Sequence, residues 1–153
     1  MSVSAAKTIP TLAIADIADA DVAAVIALWQ ACGLTRPWND PAADIALARR
    51  NPNSTILTGR ADGAVVATAM VGHDGHRGWV YYVAVDPDRR QKGFGRAIMN
   101  AAETWLRAAG LPKLQLLVRR ENAQAGAFYR SIGYQEADTI VFAKWIDGRT
   151  NAS

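Results

Sequence analysis

The chain of 153 residues holds one cysteine, Cys32, and only two histidines, His73 and His76. A lone thiol excludes an internal disulfide and cannot build a cysteine-rich zinc cluster, so no metal is expected. Cys32 follows Leu28 and Trp29 on an expected amphipathic helix, which suits a small packed side chain better than a nucleophile. No run approaches the roughly 18–20 apolar residues that a membrane span needs, and no membrane partner is expected. The opening residues MSVSAAKTIP lack the charged start and apolar centre of a secretory leader, so the cytoplasm is the expected location. Internal repeats and low-complexity stretches are absent too. The net charge of +3 is small and unclustered, which argues against a nucleic-acid partner.

What remains is an ordinary globular composition, half apolar and one-fifth charged. The length fits a single domain over 1–153, with its core at about 8–145. Residues 8–15 read as a first strand. Asp19 or Asp21 then caps a helix with the stripe Val22, Val25, Ile26, Leu28 and Trp29, ending near Gly33. Asp40 followed by Pro41 starts a second helix that runs to about Arg50. Strands follow at 54–60 and 64–72, joined by an Ala61-Asp62-Gly63 turn. The stretch WVYYVAV at 79–85 reads as a central strand covered on both faces. Helices at 94–109 and 123–132, a buried strand at 113–118 and a last pair of strands within 134–145 complete the chain. That order predicts a mixed α/β fold around one central sheet.

The chemistry concentrates where strand 79–85 ends. Asp86-Pro87 stops the strand, and RRQKGFG follows, with Gly93 and Gly95 at a helix start. Glycine admits unusual torsions and close approach to the main chain. The first N–H groups of a helix lack internal partners and sit at the positive end of its dipole, which makes an anion site. Arg89, Arg90 and Lys92 add positive charge. The spacing fails the dinucleotide fingerprint and has no Gly-Lys-Ser/Thr of a P-loop.

On Val85-x-Pro87-x-x-Arg90-x-x-Gly93-x-Gly95 the sequence resembles the GNAT family of N-acetyltransferases, over roughly 8–145. A second stretch, VRRENAQAGAFYRSIGY at 118–134, is similar to that family's later motif. RPWNDP and HDGHRGWVYY resemble stretches of the bacterial YpeA-type acetyltransferases. The resemblance implies a mostly antiparallel sheet of six to seven strands, splayed between the fourth and fifth, with about four helices on its faces. It implies acetyl-CoA as co-substrate and leaves room for a homodimer. Arg90, Gln91, Lys92, Gly93, Phe94, Gly95 and Arg96 would hold the pyrophosphate. Val83, Ala84 and Val85 would bind the pantetheine arm and thioester, and Asn122 would reach the coenzyme. Tyr129 would protonate the departing thiolate, as a phenol can; read alone, it is better explained as a core aromatic on an amphipathic helix.

The acceptor and its base stay open. Ribosomal-protein N-terminal acetyltransferases are expected to carry a Glu just before the Val-Arg-x-x-Asn stretch, where this chain has Leu117. His76 and Asp74 in HDGHRG are candidate base or relay, unless that segment is a solvated hairpin tip or water takes the proton. Arg36, Trp38 and Asn39 form a candidate surface for a small substrate with a carboxylate. Tyr81 and Tyr82, expected on opposite faces of their strand, offer one ring to the acceptor pocket. The acceptor is a small amine, an amino-acid derivative or a peptide N-terminus, and a non-catalytic acetyl-CoA-binding module is the alternative.

Overall fold

The structure, a computed structural model, describes residues 11–150, so positions 8–10 of the expected first strand lie outside the described residues. The chain divides at Leu117/Val118 into two compact units. In the first, β1 (Ala13–Asp16), β2 (Ser54–Ala61), β3 (Ala64–His73), β4 (Gly78–Val85) and β5 (Leu114–Gln115) form one sheet in that order. The first three pairings are antiparallel and β4–β5 is parallel. Helices α1 (Val22–Ala31), α2 (Pro41–Arg50) and α3 (Phe94–Ala108) pack on the sheet. No helix among the described residues is long and apolar enough to cross a membrane.

Local signals in the sequence set most of these boundaries. Asp62 and Gly63 both take positive φ between the paired residues Ala61 and Ala64, as a two-residue type I′ hairpin demands. Asp40 Oδ1 accepts from Ala42 N (3.0 Å) and Ala43 N (3.2 Å), and Pro41 opens α2. Gly33 and Gly110 end α1 and α3 in left-handed conformations. Leu34 N then donates to the Trp29 carbonyl and Leu111 N to the Leu106 carbonyl. Entry into α1 differs from expectation: a 3-10 turn at Asp19–Asp21 precedes it, and neither carboxylate caps it by a side-chain bond. Asp21 is buried and pairs with Arg60, while Asp19 pairs with Arg49 at 2.7 Å.

Val66, Ala67, Thr68 and Ala69 of β3 are all buried, so both faces of the sheet are covered there. One layer joins Val25, Leu28 and Trp29 of α1 with Ile45 and Ala48 of α2, Ile17, Ile56 and Ala84. The other is α3, which buries Phe94, Ile98, Met99, Ala102 and Leu106. Full burial of each large side chain favours folding by about 1.5–3 kcal/mol. A Cβ on Gly78 would run into the buried Leu106 side chain of α3, which would have to shift to admit it.

In the second unit, α4 (Ala123–Ser131) is the only regular element among the described residues. Gly133, at φ 100, stops it. The strand pair expected within 134–145 does not form, leaving five strands among the described residues rather than six or seven. β-branched and aromatic residues favour extended backbone, but a ladder needs a partner strand, and this unit has none. Ile140, Phe142 and Ile146 are 73%, 90% and 93% exposed. The strand expected at 113–118 shrinks to Leu114–Gln115, half-buried. β4 is not covered on both faces along its length either: Tyr81 is 49% exposed.

Candidate functional site

The connection after β4 is built to stay open. Pro87–Arg89 forms a 3-10 turn that Asp86 closes by accepting from Asp88 N at 2.9 Å. Arg89 turns away to pair with Asp62 at 3.0 Å. Gln91 (φ 65) and Gly93 (φ 81) then bend the chain through left-handed conformations into α3. No side chain caps this helix. Its first N–H groups lack intrahelical partners, and the dipole adds positive potential. Arg90, Gln91, Lys92, Gly93 and Arg96 are exposed around them, while Phe94 is buried and Gly95 half-buried. Arg90, Lys92 and Arg96 join no salt bridge among the described residues.

Among the described residues of the first unit, the strand leading into this loop has no ladder partner on one side beyond Trp79. β5 pairs with β4 only at Gly78 and Trp79, and no strand of the first unit continues the ladder along Val80–Val85. On its other edge Tyr81 pairs with Met70 and Ala84 with Thr68, so Tyr82 and Val83 oppose Ala69 alone. This is a β-bulge, with Tyr82 at φ 51. The inserted residue switches faces. Gly78 faces Leu106 of α3, whereas Tyr82 and Ala84 pack with the α1–α2 cluster. Tyr81 is opposite Met70, which packs on that same cluster. The expected opposite placement of Tyr81 and Tyr82 is therefore corrected: the bulge breaks the two-residue alternation on which it rested.

Cys32 Sγ donates to the Val85 carbonyl at 3.2 Å. Burial pushes its thiol above the usual range, with Arg90 opposing, so Cys32 is a packed donor and a poor nucleophile.

The hairpin before β4 closes on itself. Asp74 Oδ1 accepts from Arg77 N (2.7 Å) and His76 N (2.9 Å), and Oδ2 from Trp79 Nε1 (3.4 Å). The Arg77 N–H first, then that of His76, hold its carboxyl below the usual range, which makes it a weak base. His73 Nδ1 accepts from Gly75 N at 3.1 Å, and His76 is exposed. In the segment after α1, Arg36 Nη1 donates to the carbonyls of Gly33 (2.7 Å) and Thr35 (3.0 Å). Trp38 and Asn39 are half-buried in the turn that Asn39 N closes onto the Arg36 carbonyl.

In the second unit, Asn122 caps α4 by accepting from Ala125 N at 3.1 Å. Half-buried Tyr129 lies edge-on to Phe128 and to Tyr134. Burial pushes its phenol up to about 12, so it keeps its proton across the neutral range.

A family model described as "Acetyltransferase (GNAT) family" matches residues 22–134. The chain belongs to the acetyltransferase (GNAT) family. This GNAT protein is 41% identical to an acetyltransferase of Yersinia enterocolitica over 124 residues, 81% of its own length and 88% of that relative's. Its fold is similar to that of the aminoglycoside N-acetyltransferase AAC(6')-Iy solved with coenzyme A. The TM-score is 0.76, with 16% identity and 90% and 96% of the two chains covered. It is also similar to the ribosomal-protein-S18-alanine N-acetyltransferase of Escherichia coli, with TM-score 0.69, 24% identity and coverage of 83% and 79%. The protein is an N-acetyltransferase.

Residues that support this GNAT strand escaped the sequence reading. Trp29 read only as core, and Asp44 drew no attention. The one available signal was Thr68, a hydroxyl within the otherwise apolar run AVVATAMV at 64–71.

Proposed function

We propose that this GNAT protein transfers the acetyl group of acetyl-CoA to a primary amine by direct attack, within a single domain whose core is about 8–145. The carrying observation is the α3 start: uncapped, entered through a left-handed glycine, ringed by exposed cations, and preceded by a strand with no first-unit ladder partner on one side beyond Trp79. The amides and cations of Arg90–Arg96 take the pyrophosphate. The pantetheine amides add along the main chain of Val83–Val85, as an extended ligand adds to a sheet edge, beside the Val85 carbonyl that Cys32 already holds. The neutral amine attacks the thioester carbonyl carbon, the C–S bond breaks, and the sulfur takes a proton as the amide forms. By the family resemblance Tyr129 supplies that proton and Asn122 contacts the coenzyme; a phenol that stays protonated to about pH 12 suits the task.

The acceptor in this reading is a small amine or amino-acid derivative, with Trp38, Asn39 and the exposed ring of Tyr81 on its side of the site, while the Tyr82 ring packs on Trp29. The Arg36 contacts with two carbonyls argue for a scaffold share in its role. Amine deprotonation proceeds through water. From Gly78 to the bulge is four residues, about 13 Å at the usual rise, a separation that favours a water relay over direct contact with a base in the hairpin. Leu117, half-exposed and apolar, cannot take a proton and weighs against the ribosomal type of mechanism. For Tyr129→Phe, kcat falls about 100-fold with the acetyl-CoA KM within about twofold of the parent. Undiminished kcat would remove Tyr129 from the reaction.

A further inference from the structure

Tyr82 is a bulky aromatic residue in a left-handed conformation, where such side chains are rare and strained. Strain of this kind persists only where the surroundings fix it. Here three elements do so. The ring stacks on Trp29 of α1, centroids 3.8 Å apart and planes at 8°. The phenol donates to Asp44 Oδ2 of α2 at 2.6 Å. The Tyr82 carbonyl, displaced from the ladder by the bulge, accepts from Thr68 Oγ1 of β3 at 2.9 Å. That hydroxyl in turn accepts from Trp29 Nε1 at 2.9 Å.

Thr68 is fully buried, as is Trp29. A valine of the same shape would suit an apolar core better, unless the hydroxyl has a task. The other fully buried threonine, Thr58, donates to the Ala15 carbonyl of β1 and so serves the sheet itself. Thr68 serves the irregularity instead, joining the indole N–H on one side to the bulge carbonyl on the other.

We infer that Trp29, Thr68 and Asp44 are positioning residues that lock Tyr82 in the bulge and so aim the main chain of Val83, the residue that follows it, at the thioester. The inference rests on the proposed acetyl-CoA reaction. The bulge lies beyond the last β4–β5 pair. A bulge that relaxed into regular pairing would turn every group from Val83 onward, because a one-residue shift exchanges the faces of a strand. The clamp acts on the reacting carbonyl and leaves the pyrophosphate loop alone.

The test compares Thr68→Val with Thr68→Ser by steady-state turnover and by direct coenzyme A binding. Thr68→Val is expected to lose about tenfold to 100-fold in kcat, since small misplacements at a reacting centre have effects of that order. Its coenzyme A Kd rises by clearly less than kcat falls, because the pyrophosphate loop is untouched, and Thr68→Ser recovers kcat to within about threefold. Parent-level kcat in Thr68→Val overturns the inference, and so does an equal loss in Thr68→Ser. Should Thr68→Val fail to fold, Tyr82→Phe keeps the stacked ring and removes only the Asp44 bond. A fall in kcat of about threefold or more at constant coenzyme A Kd supports the clamp, and unchanged kcat overturns it. If the parent itself turns over no acetyl-CoA, the reaction assignment fails separately. The clamp is then judged by NMR, where displaced Tyr82 and Val83 amide signals in Thr68→Val support it and parent-like signals overturn it.

Discussion

The two loops at the ends of β4 have similar composition and opposite fates. Residues 74–77 and 86–93 both follow or precede the same strand, both contain a left-handed glycine, and both are rich in charge. In the first, Asp74 gathers two backbone donors and an indole, His73 takes the Gly75 amide, and the turn satisfies itself. In the second, Asp86 closes only the opening 3-10 turn, and the following helix start has no side-chain cap. The difference teaches that charge and glycine do not make a binding loop. In the proposed reading the uncapped donors at the α3 start make the binding loop, and the closed hairpin is its internal control.

The strongest way to break this contrast is Gly93→Val. A Cβ there meets no protein atom within 4 Å, so the cost arises from φ 81 and from crowding the ligand rather than from packing. Acetyl-CoA affinity is expected to fall by about 100-fold or more, read by calorimetry. Unaltered affinity would detach the pyrophosphate from this loop.

The smaller test is at the closed end. His76→Ala and Asp74→Ala are expected to keep acetyl-CoA affinity within about twofold of the parent, and the pH–rate profile of His76→Ala matches the parent's. An altered acid limb would make His76 the base. Asp74→Ala lowers Tm at neutral pH, because two amides and an indole lose their acceptor. The Asp74 carboxyl is depressed in the folded protein, so its contribution is present above the ordinary aspartate value of about 3.9 and disappears as pH falls through the folded value. The Tm gap between parent and variant therefore narrows below about pH 4; a gap that widened there would contradict the assignment.

Much of this architecture was written locally. Asp40-Pro41, Asp62-Gly63, Gly33 and Gly110 each announce a boundary through one residue's torsional or capping preference, and the structure places each boundary there. The glycine loop proposed to take the pyrophosphate was visible for the same reason, since its glycines and cations are contiguous. The bulge was not. Nothing within WVYYVAV marks Tyr82 as left-handed, because the groups holding it come from Trp29, Asp44 and Thr68, 14 to 53 positions away in sequence. The segment 134–145 erred in the opposite direction. Its β-forming residues predict strands, yet a ladder depends on a partner that composition cannot supply.

The central claim is that acetyl-CoA is consumed at the expense of an amine, and the direct measurement is release of free coenzyme A. The parent protein is incubated with acetyl-CoA and, in turn, small amines, amino acids, an aminoglycoside and short peptides with free N-termini. The account predicts amine-dependent release with at least one small amine, and saturation by acetyl-CoA in the micromolar range, about 1 μM to 1 mM. Tight acetyl-CoA binding with no amine-dependent release across the panel would contradict it, and would make the protein a coenzyme-binding module.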